Sequence, residues 1–381
     1  MLIYLCTFSI SCFFIYLAEL VSKRGKLLCV FLLLLAITIP SLLAGVRSLN
    51  IGTDVLNYVD PIYQSAIWSK NFFQFLNLPI LNGVILVPIS SFEPGYAFFV
   101  FIVAKIFRNL FFVLFFTQFF ILGFIISGLW CLRDRMSVCF GMLVYYLCFF
   151  NTSLNIVRQS MAIAVLVYGF KYLIEKKYFK YILITIFACL FHRTAIFGFL
   201  ILMIYYIMLP KNRKYFKVSY KEKIILITLS ATLIVFITPL RNLILSIIGL
   251  NKYVDGYLNG NISFVGNQIL LRIPFFTVLL LQWKKTSIDK NIKVFFLAEL
   301  ICDLMVSQLS GISESSARIT LYFSIYYIFI LPLFLYNKKD VKGKVLFFFI
   351  MIYLLVYWYY SFVIMQYSET IPFVFSPNFN F

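Results

Sequence analysis

The sequence predicts an all-α fold, a polytopic transmembrane helical bundle of about 10–12 spans. Three observations carry this. Hydrophobic residues make up 63% of the 381, and mean hydropathy is +0.97. Only 12% of residues are charged, about half the share of a soluble protein. The apolar runs are also punctuated by clusters of lysine and arginine. Soluble folds have no interior large enough for so much apolar surface, so lipid takes the place of the core.

A span needs about 20 apolar residues. The runs fall at 2–22, 27–45, 110–132, 136–150, 160–174, 181–191, 194–209, 224–250, 267–283, 292–310, 318–336 and 345–366. Between them lie Lys23, Arg24 and Lys26, then Arg133 and Arg135, then Lys171, Lys176, Lys177 and Lys180. The basic run Lys211 to Lys223 follows, then Lys284, Lys285, Lys290 and Lys293, then Lys338, Lys339, Lys342 and Lys344. Basic residues favour cytoplasmic loops. Placing these clusters there sends both termini outward. The loops 46–94, 151–159, 251–266 and 311–317 and the tail after Gln366 then also face outward. The stretch 181–209 is basic at both ends and too long for one span, so it reads as a hairpin with His192 near its outer tip. Pro239 breaks the long run 224–250. The whole of 1–381 reads as one polytopic domain. The segment Met1 to Val21 lacks a basic leader and a cleavage site, and reads as a retained span.

The first outward loop, 46–94, contains Gly52, Pro61, Pro79, Pro88 and Pro94, so it is no simple helix. Glu93 to Phe107 then reads as an amphipathic or re-entrant segment, with Lys105 and Arg108 near one interface.

The net charge of +19 would suggest nucleic acid in a soluble protein. Here the cytoplasmic loops account for it, and no basic soluble domain exists to bind a nucleic acid. The 8 cysteines sit in or beside apolar runs, without metal-ligand spacing or a disulfide framework. One histidine and no D-x-D pair argue against a metal site, and no cofactor is expected.

Arg47, Lys70, Lys105, Arg108, Arg158, Arg193, Arg241, Lys252, Arg272 and Arg318 run against the topological bias. Four of these arginines, Arg47, Arg158, Arg193 and Arg318, stand where an outward loop meets a span. A guanidinium fork matches phosphate oxygens two at a time. Several at one depth point to a lipid-linked phosphate or diphosphate. The plain alternative is snorkelling of single arginines to the interface. Around Arg47 the loop adds Gly52, Thr53, Asp54, Asn57, Tyr58 and Asp60, a carboxylate among hydroxyls, amides and rings that suits a sugar. An Asx-type turn would leave the same residues.

His192, the single histidine, sits beside Arg193 in an apolar hairpin, a setting that favours function over packing. Asn155, Arg158 and Gln159 share one face if a helix begins there. Glu299 and Asp303 are four apart within a span. Either one is protonated or a basic partner faces them. They equally suit a proton-coupled transporter.

Five stretches in this order resemble the EpsG family of polysaccharide-assembly membrane proteins: LLAGVRSLNIGTDVLNY, FEPGYAFFVFIVAKIFRN, NIVRQSMAIAVLVYGFKYLIEKKYFKYILITIFACLFHRTAIFGF, SARITLYFSIYYIFILP and IPFVF. Many members are Wzy-type O-antigen polymerases. Arg47, Gly52, Thr53, Asp54, Tyr58, Glu93, Gly95, Tyr96, Arg158, Gln159, His192 and Arg318 fall on the family's recurring positions. Arg193 stands where a small or hydroxyl residue is more usual. The resemblance implies a GT-C-like membrane glycosyltransferase of the bacterial inner membrane, with its site facing the periplasm. Donor and acceptor would be undecaprenyl-diphosphate-linked oligosaccharides, and a chain-length regulator is a candidate partner. Arg47, Arg158 and Arg318 would hold the diphosphate, with Thr53, Tyr58, Tyr96, Gln159 and Arg193 binding around it. Asp54, Glu93 and His192 are the candidate bases. An O-antigen ligase, a flippase or other transporter, and a non-catalytic scaffold are the rival readings.

Overall fold

The computed structural model describes residues 1–208, 266–311, 318–335 and 341–377. The basic run Lys211 to Lys223, the span 224–250 with Pro239, Arg241, Lys252, Lys338 and Lys339, and nearly all of the loops 251–266 and 311–317 lie outside the described residues. Among the described residues, seven helices are long and apolar enough to cross a membrane. The chain is an all-α, multi-pass membrane protein. It divides into two compact units, Met1–Ile196 with Phe347–Phe381, and Phe197–Leu346.

The first unit opens with α1 (Leu2–Val21) and α2 (Lys26–Gly45). They run antiparallel: Ser11 Oγ donates to Ala36 O at 2.7 Å, and Ala18 packs with Cys29 and Leu32 nearer the turn. The segment 46–94 then folds into a π-helical turn (Val55–Val59), α3 (Asp60–Trp68), α4 (Phe72–Asn77) and a hairpin of β1 (Pro79–Asn82) with β2 (Ile85–Pro88). Its prolines sit at a helix start and at strand ends, where a missing N–H costs little.

The segment after Glu93 is α5 (Pro94–Phe107), and Arg108 in the left-handed conformation turns it into α6 (Leu110–Trp130). Phe107 stacks on Phe112 at 4.3 Å and Phe99 meets Phe120 at 6.1 Å. α5 therefore runs back along α6, which favours the re-entrant reading over a surface helix. Lys105 has a local reason to be there: its ammonium bonds Ile67 O and Ser69 O, which end α3.

The outward loop expected at 151–159 is almost absent. α7 (Val138–Tyr145) continues through a π-helical turn, Tyr146–Phe150, into α8 (Asn151–Asn155). α9 (Val157–Ile174) begins two residues later. The polar residues that suggested a loop are buried and partnered instead. Asn151 accepts from Trp358 Nε1 at 2.9 Å and donates to Thr370 Oγ1 at 2.8 Å, and Ser153 meets Gln118. Gly128 lets α6 approach α9: a Cβ there would stand 2.8 Å from Val167 O. α10 (Tyr178–Cys189) follows, and the expected break near His192 separates it from a 3-10 turn, Arg193–Ile196.

The second unit contains α11 (Phe197–Met208), α12 (Gly266–Leu270), α13 (Ile273–Leu281), α14 (Lys290–Ser307), a 3-10 turn at Arg318–Thr320, α15 (Leu321–Ser324) and α16 (Tyr327–Leu335). Aromatic packing joins them: Tyr205 meets Phe295 at 5.2 Å, and Phe275 stacks on Tyr327. The basic partner expected for the acidic pair is Arg272. It grips Asp303 through Nε at 2.8 Å and Nη2 at 3.0 Å, and Tyr327 OH donates to the same carboxylate. Glu299 is fully buried, and neither of its oxygens has a hydrogen-bond partner. α17 (Val341–Trp358) carries the chain back to the first unit.

Candidate functional site

The segment 46–94 and the tail build one end of the site together. After α17 and a π-helical turn (Tyr359–Ile364), the tail doubles back over residues 46–52. Ser48 N donates to Val374 O at 2.8 Å, Ser376 N to Val46 O at 2.8 Å and Gly52 N to Glu369 O at 3.3 Å. Arg47 and Phe375 form an antiparallel bridge, and Tyr4 OH donates to Thr370 O at 2.8 Å. Under this strap Arg47 keeps only 3% of its exposure. Its Nε and Nη1 are buried with no hydrogen-bond partner. Burial pushes its pKa down to about 10 while Tyr4 and Asp54 oppose the shift, so it stays charged at neutral pH.

Gly52 turns the chain toward α9. Its φ of +82° is a left-handed value, and a Cβ would stand 2.7 Å from Leu154 O. The turn delivers Thr53 and Asp54 to Asn155, whose Oδ1 accepts from Thr53 Oγ1 at 2.9 Å and Asp54 N at 3.2 Å. Asp54 Oδ2 accepts from Val157 N at 3.2 Å and from Tyr58 OH. Val157 is the first residue of α9, so Asp54 satisfies an orphan N–H and meets the positive end of that helix. Burial first, then the Asp54 charge, pushes the Tyr58 hydroxyl pKa up, so it remains a donor.

Asn155, Arg158 and Gln159 do not share one helical face. Ile156, at φ −87° and ψ 70°, breaks the helix between them. Asn155 ends α8 and faces Thr53. Arg158 and the buried Gln159 lie in the first turn of α9.

Glu93 precedes Pro94, the first residue of α5. Its Oε2 accepts from Arg158 Nη1 at 2.5 Å, and its Oε1 from Arg193 N at 3.1 Å. Burial works to raise its pKa. The charges of Arg158 and His192 and the backbone N–H groups outweigh that, and hold the carboxyl below its ordinary range. Gly95 N and Tyr96 N both donate to Leu190 O, which a Cβ on Gly95 would approach to 2.8 Å. Arg158 lies against two neighbouring rings, 4.6 Å from the centroid of Tyr58 and 4.8 Å from that of Phe92, whose own centroids are 5.5 Å apart. Its Nε is buried without a partner, as is Tyr96 OH. Arg47 lies within electrostatic reach of Asp54, Tyr58 and Tyr96, and Tyr96 within that of Arg158 and Glu93.

His192 lies within electrostatic reach of Glu93. Thr194 N donates to its Nδ1 at 3.3 Å, and Thr194 Oγ1 is 2.6 Å from the same atom. An accepting Nδ1 puts the proton of the neutral ring on Nε2. The Arg193 side chain is exposed and donates to Ser91 O at 2.8 Å. Arg318 belongs to the second unit, where it opens the 3-10 turn and is half-buried. Among the described residues no three of His, Cys, Asp and Glu gather as a metal-ligand set.

Three participants escape a reading by spacing. Phe92 is one more phenylalanine in a chain of 46. Leu190 acts through its carbonyl. The tail strap pairs residues more than 300 positions apart, and only the IPFVF match near the end marks it.

These helices close around charged and aromatic groups that are largely sealed from solvent, which makes this a multi-pass membrane protein with an internal polar site. The chain belongs to the EpsG family, whose profile matches residues 30–375. The family includes Wzy-type polymerases and EpsG-like glycosyltransferases. No curated protein and no solved structure matches the chain.

Proposed function

We propose that this protein is a polysaccharide polymerase. It moves a growing glycan from its undecaprenyl diphosphate onto the non-reducing end of a fresh lipid-linked repeat, at the periplasmic face of the bacterial inner membrane. The observation that carries the reading is Arg47, a buried guanidinium with two unpaired nitrogens, in one cluster with Arg158, whose Nε is also unpaired. A buried cation with spare donors calls for an anion. The outward segment and the tail build this end of the site, and the charge rule puts both on the periplasmic side.

Diphosphate is a good leaving group, so the protein's task is to stabilise the charge that develops as it departs. Arg47 and Arg158 hold that charge. Glu93 occupies Arg158 beforehand, and an arriving diphosphate replaces it there. The released carboxylate becomes the base. It takes the proton of the acceptor hydroxyl as that oxygen attacks the anomeric carbon and the bond to diphosphate breaks. Asp54 serves better as the anchor of α9 and Tyr58, since its carboxylate accepts from the first N–H of that helix and from the Tyr58 hydroxyl. His192 acts on Glu93 through its field and has Nδ1 engaged with Thr194, which suits tuning that carboxylate more than replacing it.

The test is purified protein in vesicles with the lipid-linked repeat as sole substrate. A ladder of products, with release of undecaprenyl diphosphate, supports the reading. Movement of the lipid across the bilayer without a new glycosidic bond would favour the transporter reading. Transfer only when a lipid A-type acceptor is supplied would favour a ligase.

A further inference from the structure

Beside α5, whose first turn carries Tyr96 of the polar cluster, lies an apolar groove that no part of the chemistry above uses. The groove has a volume of about 840 Å³ and runs between α2, α5, α6 and α9. Leu34 and Ile37 of α2, Phe99 and Val103 of α5, and Phe116 and Phe120 of α6 form its walls. Ser127 and Tyr168 supply the hydroxyls among its lining residues, so its occupant is a hydrocarbon. On α5 the groove residues Phe99, Val103 and Phe107 follow Tyr96 at steps of three, four and four. That spacing draws one stripe down a single helical face. The stripe starts at a tyrosine in the arginine cluster and runs about 16 Å along the helix axis. One helix, α5, therefore carries both a residue of the cluster and a wall of the groove. Gly123 lines the groove, and a Cβ there would meet nothing within 4 Å. The slot is open where α6 lacks a side chain.

We infer that this groove is the seat of the polyisoprenoid chain of the lipid diphosphate, and that the open slot beside Gly123 admits it. The inference rests on the reading of the arginine cluster as a diphosphate site. An isoprenoid suits the walls better than a saturated acyl chain does. Its planar, methyl-branched double bonds lie flat on the phenylalanine faces that dominate the lining. An acyl chain gains no such contact, and the surrounding bilayer offers it the same apolar contacts.

The experiment uses the full-length protein in vesicles with a photoreactive undecaprenyl diphosphate analogue, and reads the labelled residues by mass spectrometry. A photoreactive phospholipid serves as the comparison. Labelling of α5 between Phe99 and Phe107, and of α6 near Gly123, by the isoprenoid and not by the phospholipid is the expected result. Gly123→Phe fills the slot and is expected to cut that labelling about ten-fold or more, in line with the apolar contact it removes. Gly123→Ala, which leaves most of the slot open, is expected to keep it. Equal labelling by the phospholipid, or isoprenoid labelling confined to other helices, would overturn the proposal. Photolabelling reads the groove whether or not polymer forms, so a failed polymerase reading and a failed groove reading give different results.

Discussion

A guanidinium buried to 3% exposure with two unpaired nitrogens lowers the stability of the protein that carries it. The fall of the Arg47 pKa from the ordinary guanidinium range to about 10 corresponds to a penalty of roughly 3 kcal/mol. Arg47→Met keeps the packing volume and removes the penalty. It is expected to raise the melting temperature of the protein in detergent and to abolish polymer on a gel. A lower melting temperature would make Arg47 a structural residue. Glu93 behaves in the opposite sense. Its folded pKa lies below the ordinary value, so the stability it contributes is complete above the ordinary carboxylate range and is lost as pH falls through the folded value. Melting temperature followed from about pH 7 to about pH 3 is expected to show an acid limb that Glu93→Gln removes. An unchanged limb in that variant would assign it to other carboxylates.

At the scale of elements, the site depends on how the turn at Gly52 meets the break at Ile156. Gly52→Ala forces a side chain into a left-handed φ and against Leu154 O. The expected cost is about 1–3 kcal/mol, read as a lower melting temperature together with lost activity. Wild-type values on both would show that the turn relaxes freely. The elements themselves were largely legible in the sequence. Apolar run length marked α1, α2, α6 and α9, and the proline content of 46–94 marked a segment that was no simple helix. The site was legible in part. Arg47 and Arg158 stood out because they oppose the charge bias, whereas Glu93 and Tyr96 were visible through family resemblance alone. The stretch 151–159 was misread for a physical reason. Asn151, Ser153 and Asn155 look like a solvated loop, but Trp358, Thr370, Gln118 and Thr53 satisfy them inside the protein. Those partners lie up to 219 positions away, and no local pattern reveals them.

At the scale of the whole molecule, the charge rule and the strap agree. The loop after α2 and the tail after α17 hydrogen-bond to one another, so they lie on one side, as the basic clusters require. Reporter fusions are expected to place Gln64 outside and Lys217 inside, and alkaline-phosphatase activity at Lys217 would contradict that topology. The second unit was the less legible half. Its acidic pair suggested a transporter, and Arg272 answers Asp303 while leaving Glu299 without a hydrogen bond. The central claim remains that Arg47 and Arg158 bind the diphosphate of a lipid-linked glycan, and undecaprenyl diphosphate tests it without waiting for chemistry. A ligand that binds the folded state raises its melting temperature by mass action. Measured over a concentration series, undecaprenyl diphosphate is expected to stabilise the wild type. It is expected to have little effect on Arg47→Met or on Arg158→Lys, which keeps a charge but loses the planar fork and its stacking on Tyr58 and Phe92. Equal stabilisation of all three proteins would contradict the claim.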